Sequence, residues 1–239
     1  MKTILVTISL LSICLFLCCK NANTNHDATH EEHSTTTNHG PLTGEQVLDN
    51  LKAGNQNFVT NSSTVNFDHG HNYNFHDQLD HTKTEQHPTA FILSCMDSRV
   101  PPEIVFDQGI GALFIDRVAG NVEDAYILGS LEYAVNVKGV KLVIIMGHTN
   151  CGAINGAFSG VDSSNTELIR LLSHVKEGYI ANDTPPYDAS AKHNVVVTMN
   201  HILEQSKSIK AKVDAHEIIM TGAMYDVATG KVDWDYSKW

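Results

Sequence analysis

Short, mainly apolar runs alternate with amphipathic stretches over most of the chain. The runs at residues 90–93 and 140–146 have the length and bulk of strands that are buried on both faces of a sheet, and residues 112–116 and 216–223 are predicted to form further strands. Between them, apolar residues recur at helical spacing, as at Leu168, Leu171, Leu172 and Val175. Strands that alternate with helices predict an α/β fold with a mostly parallel sheet flanked by helices.

Local signals mark where some helices begin and end. Thr43 and Gln46 have the spacing of a capping box, which predicts an N-terminal helix after Thr43. Asn121 is predicted to cap another helix, which ends at Gly139. The apolar spacing in residues 189–213 predicts one long helix near the end of the chain.

The first 19 residues have the pattern of a targeting segment and not that of a folded domain. Lys2 precedes an apolar stretch, residues 4–17, that is too short to span a bilayer comfortably but suits a secretory signal. Residues 1–19 are therefore predicted to be a signal peptide, with Cys19 as the preferred site of a lipoprotein-type lipid anchor. An ordinary cleaved signal, or an uncleaved anchor, is the alternative. Either export route predicts a periplasmic or membrane-tethered protein of the cell envelope.

The next segment is a predicted linker. Residues 20–40 are polar, rich in histidine and nearly free of apolar side chains, so they cannot bury enough surface to fold. We predict that this segment is disordered and that residues 41–239 form the folded domain.

Charge and cysteine content narrow the range of functions. The chain has 27 acidic against 16 basic residues, which argues against nucleic acid as a partner. Of its five cysteines, only Cys95 and Cys151 lie beyond the predicted signal peptide, so no disulfide framework is expected. These two residues would either form one disulfide or bind a metal ion.

The first chemical motif is Cys95-Met96-Asp97-Ser98-Arg99, directly after the run at residues 90–93. In extended backbone alternate side chains share a face, so Cys95, Asp97 and Arg99 are expected to point the same way. One strand end then offers a thiolate, a carboxylate and a guanidinium.

The second motif is His148-Thr149-Asn150-Cys151, which follows the run at residues 140–146. If the chain turns into a helix there, His148 and Cys151 share one face. Two neighbouring strands would then bring both residues to Cys95. Two sulfurs and one imidazole suit zinc, and three protein ligands leave a fourth position for water or substrate. A purely structural zinc needs a fourth ligand, which only Asp97 is placed to supply.

Three motifs in order resemble the β-class carbonic anhydrases: Cys-x-Asp-Ser-Arg at 95–99, Arg-Val-Ala-Gly-Asn at 117–121 and Gly-His-x-x-Cys-Gly at 147–152. The similarity runs from about residue 42 to residue 234, and the predicted signal peptide adds the expectation of a bacterial, exported form. It implies one zinc ion per chain, held by Cys95, His148 and Cys151. It also implies reversible hydration of carbon dioxide to bicarbonate and a proton, by attack of zinc-bound hydroxide.

The same resemblance implies a homo-oligomer, either a dimer or a tetramer. The N-terminal helix would be an arm that packs across a partner subunit. Plain packing of this helix within its own chain is the alternative.

The resemblance also assigns roles around the zinc. Asp97 is expected to orient the nucleophile, because an ionised carboxylate only accepts hydrogen bonds. Arg99 is expected to hold Asp97 bidentately and keep it off the metal, whereas in a closed form Asp97 becomes the fourth ligand. Gln108 corresponds to a glutamine that binds bicarbonate. Arg117 matches an arginine of an inhibitory bicarbonate site, but Ile92 replaces the tryptophan of that site, so a structural role is the alternative.

Two other functions remain open. Histidine clusters at positions 26, 30, 33 and 39, and at 69, 71, 76, 81 and 87, are of a kind that collects zinc or copper, which would suit a non-catalytic zinc-binding or storage protein. The Asp97–Arg99 pair argues against a storage function, because storing a metal ion does not require such an ion pair. Hydrolysis of carbon disulfide or carbonyl sulfide on the same fold and metal is the other alternative.

Overall fold

Five strands form one sheet in the described part of the chain, with the order β2-β1-β3-β4-β5. The structure, a computed structural model, describes residues 42–62 and 75–236. The strands are β1 (Ala90–Ser94), β2 (Leu113–Arg117), β3 (Leu142–His148), β4 (Ile219–Tyr225) and β5 (Val232–Asp233). The α-helices are α1 (Gly44–Val59), α2 (Phe75–Thr82), α3 (Pro102–Val105), α4 (Ala125–Glu132), α5 (Gly152–Ser159), α6 (Thr166–Lys176), α7 (Asp188–Gln205) and α8 (Lys207–Asp214).

The sheet is parallel except at one edge, as the sequence predicts. Strand β1 pairs in parallel with β2 and β3, and β3 pairs in parallel with β4. Only β5 runs antiparallel, against the end of β4. Every residue of β1 and β3 is buried, which explains why these strands are continuous apolar runs without alternation.

Alternate side chains of the central strands enter two cores. Ile92 and Ile144 pack with residues of α1 and α3 on one face of the sheet. Phe91 and Ile145 pack on the other face with residues of α4, α7 and α8. Since successive side chains of a strand point to opposite faces, this arrangement covers both faces with helices.

Helix α1 begins with the predicted capping box. The Gln46 N–H donates to Thr43 Oγ1 at 3.3 Å, and the Thr43 N–H donates to Gln46 Oε1 at 2.8 Å. The buried side chains of Val47 and Leu51 pack into the chain's own core. The described contacts of α1 therefore agree with packing inside one chain, and an additional contact with a partner subunit stays a prediction.

The helix predicted from Asn121 begins three residues later than expected. Asn121 has a left-handed backbone with φ of 49° and ends a short 3-10 turn, Ala119–Asn121. The cap of α4 is instead Asp124, whose Oδ1 accepts from the N–H groups of Tyr126 and Ile127, both at 2.8 Å. The helix continues into a π-helical turn, Tyr133–Val137, and the chain leaves it near Gly139 as predicted.

The long helix predicted over residues 189–213 is two helices. Helix α7 ends at Gln205, and Ser206 between the helices has an extended backbone with ψ of 100°. The Ser206 hydroxyl accepts from the Ile209 N–H at 3.4 Å and donates to Glu132, so it caps α8 and ties the break to α4. Apolar periodicity continues through the break because both helices pack on the same core.

The observed bounds of strands β3 and β4 differ by a few residues from the predicted ones. Strand β3 begins at Leu142 and continues through Gly147 to His148, whereas the apolar run ends at Met146. Strand β4 begins at Ile219, because the chain turns at His216, which has φ of 55°.

The predicted signal peptide and histidine-rich linker lie outside the described residues. None of the helices within 42–62 and 75–236 combines the length and apolar character that crossing a bilayer requires.

We expect Asn55→Ala to destabilise the fold, because the buried Asn55 side chain joins α1 to two other segments. Its Nδ2 donates to the carbonyls of Val105 at 3.1 Å and Gly230 at 2.8 Å, and its Oδ1 accepts from the Val232 N–H at 3.0 Å. Loss of these bonds should lower the free energy of unfolding by about 3 kcal/mol. Urea unfolding at one protein concentration measures this change. The control Gln56→Ala, at an exposed neighbouring position, should change the free energy by less than about 0.5 kcal/mol; equal effects of the two variants would contradict the prediction.

Candidate metal centre

The two chemical motifs meet where β1 and β3 end side by side. Ser94, the last residue of β1, is in register with Met146 of β3. Cys95 therefore leaves the sheet beside His148, which is still the last residue of β3. Cys151 follows as the residue that precedes α5.

The expectation that His148 and Cys151 share a helical face is wrong. A tight turn joins strand and helix, and its Asn150 has a left-handed backbone with φ of 53°, a conformation that asparagine tolerates better than most residues. The Thr149 N–H donates to the Tyr225 carbonyl at 2.9 Å, and the Asn150 N–H donates to Asp188 Oδ1 at 2.7 Å. These bonds to β4 and α7 hold the turn that brings Cys151 back to His148.

Cys95, His148 and Cys151 form a compact group of possible metal ligands. One ligand atom from each lies within 4.8 Å of the other two, and all three side chains are buried. The two Sγ atoms are 3.9 Å apart, and neither cysteine is in a disulfide. This separation is far longer than an S–S bond, so the geometry favours the metal site over the disulfide.

The His148 ring is oriented for metal binding. Its Nδ1 lies 2.9 Å from the Thr149 carbonyl oxygen, which only accepts hydrogen bonds. Nδ1 must therefore carry the hydrogen, and Nε2 presents its lone pair toward the two sulfurs. Nε2 is buried and has no hydrogen-bond partner in the protein. Because a buried polar atom without a partner is costly, a metal ion fits this position.

The two cysteines contact each other through their sulfurs. The pKa of the Cys95 thiol is lowered, chiefly by this contact with the Cys151 thiol and further by the Gly120 N–H, which donates to the Cys95 sulfur. The pKa of Cys151 is raised by the same contact and by burial. A divalent cation that displaces the thiol hydrogens would bind two thiolates, as zinc sites do.

Asp97 and Arg99 form a bidentate pair in the loop after β1. Asp97 Oδ1 accepts from Arg99 Nε at 2.9 Å and from the Arg99 N–H at 3.0 Å, and Asp97 Oδ2 accepts from Arg99 Nη2 at 2.7 Å. Strand alternation does not produce this contact, because β1 already ends at Ser94. A local turn does, in which the carboxylate caps the backbone two residues ahead. Arg99 also donates to the Asn150 carbonyl at 3.1 Å, which joins the two motifs.

The Asp97 carboxylate lies beside the three possible ligands but is not one of them. Its Oδ2 is 3.9 Å from His148 Nε2, while both oxygens are engaged by Arg99. The Arg99 side chain holds the pKa of Asp97 well below its usual range, against the opposing effect of partial burial. This arrangement corresponds to the open form, and the closed form with Asp97 as a ligand stays a prediction.

Arg117 supports the segment that carries Cys95 and Asp97. From the end of β2 its Nε donates to the Cys95 carbonyl at 3.0 Å, and its Nη2 donates to the Asp97 carbonyl. These contacts agree with the structural role considered as the alternative for Arg117. This contact depends on the strand register that places Arg117 beside Ser94. The sequence alone does not reveal that register.

Gln108 lies in the loop that follows α3. Its Nε2 donates to the carbonyls of Phe106 at 2.9 Å and Asp107 at 3.2 Å. No hydrogen bond joins Gln108 to the possible metal ligands or to Asp97, so its role as a substrate ligand stays a prediction.

The histidine-rich clusters lie partly outside the described residues. Residues 42–62 and 75–236 contain no second group of three close donors from His, Cys, Asp or Glu. His76, His81 and His87, which belong to the second cluster, are exposed.

Comparisons with known proteins identify the family. A carbonic anhydrase family model matches residues 90–232. The chain is 31% identical over 191 residues to carbonic anhydrase 2 of Mycobacterium tuberculosis, which covers 76% of this chain and 87% of that protein. It is 35% identical over 155 residues to the carbonic anhydrase of Mycolicibacterium smegmatis, covering 62% of this chain and 75% of that protein.

Solved structures agree on the fold. A tetrameric β-carbonic anhydrase of Sordaria macrospora has a TM-score of 0.60 at 22% identity, covering 69% of this chain and 87% of that one. The β-carbonic anhydrase CafA of Aspergillus fumigatus has a TM-score of 0.60 at 23% identity, covering 81% and 92%. The chain belongs to the β-carbonic anhydrases. It is thus a member of a family of zinc enzymes, and zinc is the metal that suits its two sulfurs and one imidazole.

Replacing Arg99 by leucine should raise the pKa of Asp97 toward the ordinary aspartate value, because the Arg99 hydrogen bonds are the main cause of the low pKa. In the parent chain the folded-state pKa lies below the unfolded one. Ionised Asp97 therefore stabilises the fold above about pH 4, and this contribution is lost as the pH falls below that value. Carboxyl carbon NMR titration of the metal-free chain measures the pKa.

The control for this titration is Arg170→Leu, which removes an exposed arginine that pairs with Glu167 at 3.3 Å. It should leave the pKa of Asp97 unchanged. An unchanged pKa of Asp97 in Arg99→Leu would refute the assigned cause.

Proposed function

We propose that this chain catalyses the reversible hydration of carbon dioxide to bicarbonate and a proton, with zinc held by Cys95, His148 and Cys151. One observation carries the proposal: a carboxylate held by an arginine lies 3.9 Å from the unpartnered Nε2 of a possible ligand histidine. Family membership supports the same reaction, since the relatives described above are carbonic anhydrases.

Zinc, when bound, supplies a Lewis acid that produces a strong nucleophile from water near neutral pH. Asp97 orients that nucleophile. Because Arg99 keeps it ionised, Asp97 only accepts hydrogen bonds, so it selects the orientation in which a hydrogen points to Asp97 and a lone pair faces carbon dioxide. Arg99 also engages both carboxylate oxygens, which keeps Asp97 from entering the metal site.

We further propose that Gln108 binds bicarbonate from the facing side of the pocket. The amide oxygen of Gln108 takes no part in the two hydrogen bonds that its amide nitrogen donates. The proposal includes a homo-oligomer, a dimer or a tetramer, and the Sordaria macrospora relatives are tetrameric. Family membership does not favour the alternatives of zinc storage or of hydrolysis of carbon disulfide or carbonyl sulfide.

We propose that the protein is exported and tethered to a membrane of the cell envelope through Cys19. The support is the sequence alone: a basic residue, an apolar stretch and a cysteine that follows it. A lipid on this residue would hold the anhydrase domain at a membrane surface through residues 20–40.

Asp97→Asn should reduce carbon dioxide hydration by about 100-fold while one zinc ion per chain is retained. The asparagine amide can donate hydrogen bonds as well as accept them, so it no longer selects one orientation of the nucleophile. Stopped-flow hydration from mildly acidic to alkaline pH, with zinc content determined by elemental analysis, tests this expectation.

The matched control is Asp49→Asn, an exposed position on α1 where full activity should remain. Full zinc content without hydration by the parent chain at any pH would refute the proposed function. Full activity in Asp97→Asn would refute only the role of Asp97.

Cys19→Ser should abolish membrane association and leave the hydration rate of the solubilised enzyme unchanged. The thiol that receives the lipid is lost, whereas the catalytic domain is untouched. Labelling with a fatty-acid analogue, followed by separation of membrane and soluble fractions, measures the effect. The control Cys18→Ser should still incorporate the label, and label in Cys19→Ser would contradict the assignment.

A further inference from the structure

The Cys95 sulfur accepts a backbone hydrogen bond from a constrained glycine. The Gly120 N–H lies 3.4 Å from Cys95 Sγ in a buried setting. Gly120 has φ of 75°, and a Cβ at this position would lie 2.5 Å from a methyl group of Val175. Only glycine fits between Cys95 and α6 at this position. Because glycine has a flexible backbone, other contacts must fix the direction of the Gly120 N–H.

Asn194 of α7 holds the other side of Gly120. Its Nδ2 donates to the Gly120 carbonyl at 2.8 Å, and its side chain is 1% exposed. Its Oδ1 has no hydrogen-bond partner in the described part of the chain, so the side-chain amide is held there by its bond to Gly120. An asparagine at a buried helix position that makes one bond to a loop is well placed to set the position of that loop.

The same face of α7 holds the end of the loop as well. His201 Nδ1 lies 3.0 Å from Glu123 Oε1, and Gln205 Nε2 donates to the same oxygen at 3.1 Å. Asn194, His201 and Gln205 are separated by seven and four residues, which places them along one helical face. The loop from Gly120 to Glu123 is thus attached to α7 at both ends.

We propose that Asn194 is a positioning residue that keeps the Gly120 N–H directed at the Cys95 sulfur when zinc is bound. The inference rests on the proposed role of Cys95 as a zinc ligand. A hydrogen bond to a thiolate draws electron density from the sulfur, and such bonds tune metal centres that have sulfur ligands. Because two thiolates neutralise most of the charge of zinc, the Gly120 N–H makes the bound metal a stronger Lewis acid.

The test compares Asn194→Leu with the parent chain in the full-length protein loaded with Co²⁺ in place of zinc. Leucine has the same number and branching of side-chain heavy atoms as asparagine, although it is bulkier, and it cannot donate to the Gly120 carbonyl. The thiolate-to-cobalt charge-transfer band should shift to lower energy, because the sulfur becomes richer in electrons. Zinc affinity, measured by competition with a chromogenic chelator, should fall about 10-fold.

Thr198→Val is the matched control. Thr198 lies one turn beyond Asn194 on α7, is also 1% exposed and makes no hydrogen bond to the described residues of the Gly120 loop. This variant should leave the band and the zinc affinity unchanged. If Asn194→Leu does not fold, Asn194→Ser, which is smaller and cannot reach the carbonyl, is measured in the same way.

The possible results distinguish failure of the role proposed for Asn194 from failure of the proposed zinc ligands. An unshifted band in a folded Asn194 variant would overturn the inference and leave the zinc ligands intact. An equal shift in Thr198→Val would overturn it too, because general loosening of α7 would then be the cause. Absence of any thiolate-to-cobalt band in the parent chain would instead overturn the proposed role of the cysteines.

Discussion

The parallel pairing of β1 with β3 is the constraint on which the metal centre depends. Its register sets Ser94 beside Met146, so the chain leaves β1 at Cys95 where β3 ends at His148. Both strands are buried on both faces, and a slip by one residue would exchange the side chains that enter the two cores. The packing of the cores therefore also fixes the distance between the two halves of the site. Open parallel sheets commonly bind ligands at this carboxyl edge.

Polar contacts at that edge hold the loops while leaving the metal ligands free. Asp97 is engaged by Arg99, and Arg117 holds the carbonyls on either side of residue 96. By contrast, His148 Nε2 has no partner, and the thiols of Cys95 and Cys151 face each other at 3.9 Å. This arrangement suits a metal centre, because the protein holds the backbone of the loops and leaves the ligand atoms available to a metal ion.

Helix α7 links the core of the protein to the metal centre. Its apolar side chains Val195 and Ile202 pack on the sheet, while the polar face that begins at Asn194 holds the loop at Gly120. At its first turn Asp188 accepts from the Asn150 N–H, which supports the turn between His148 and Cys151. Helix α7 thus contacts both the turn between His148 and Cys151 and the Gly120 loop that donates to Cys95, so its packing on the sheet helps to position both segments.

The sequence by itself determined the alternation of strands with helices, the mostly parallel sheet and the choice of Cys95, His148 and Cys151 as possible metal ligands, because buried runs and short motifs are local signals. Only the tertiary structure decided that Cys151 returns to His148 through a left-handed Asn150 and that α8 begins after Ser206. It also decided that Arg117 supports the first motif. These features depend on the register between distant strands and on contacts with other elements, and no local pattern of residues encodes either one.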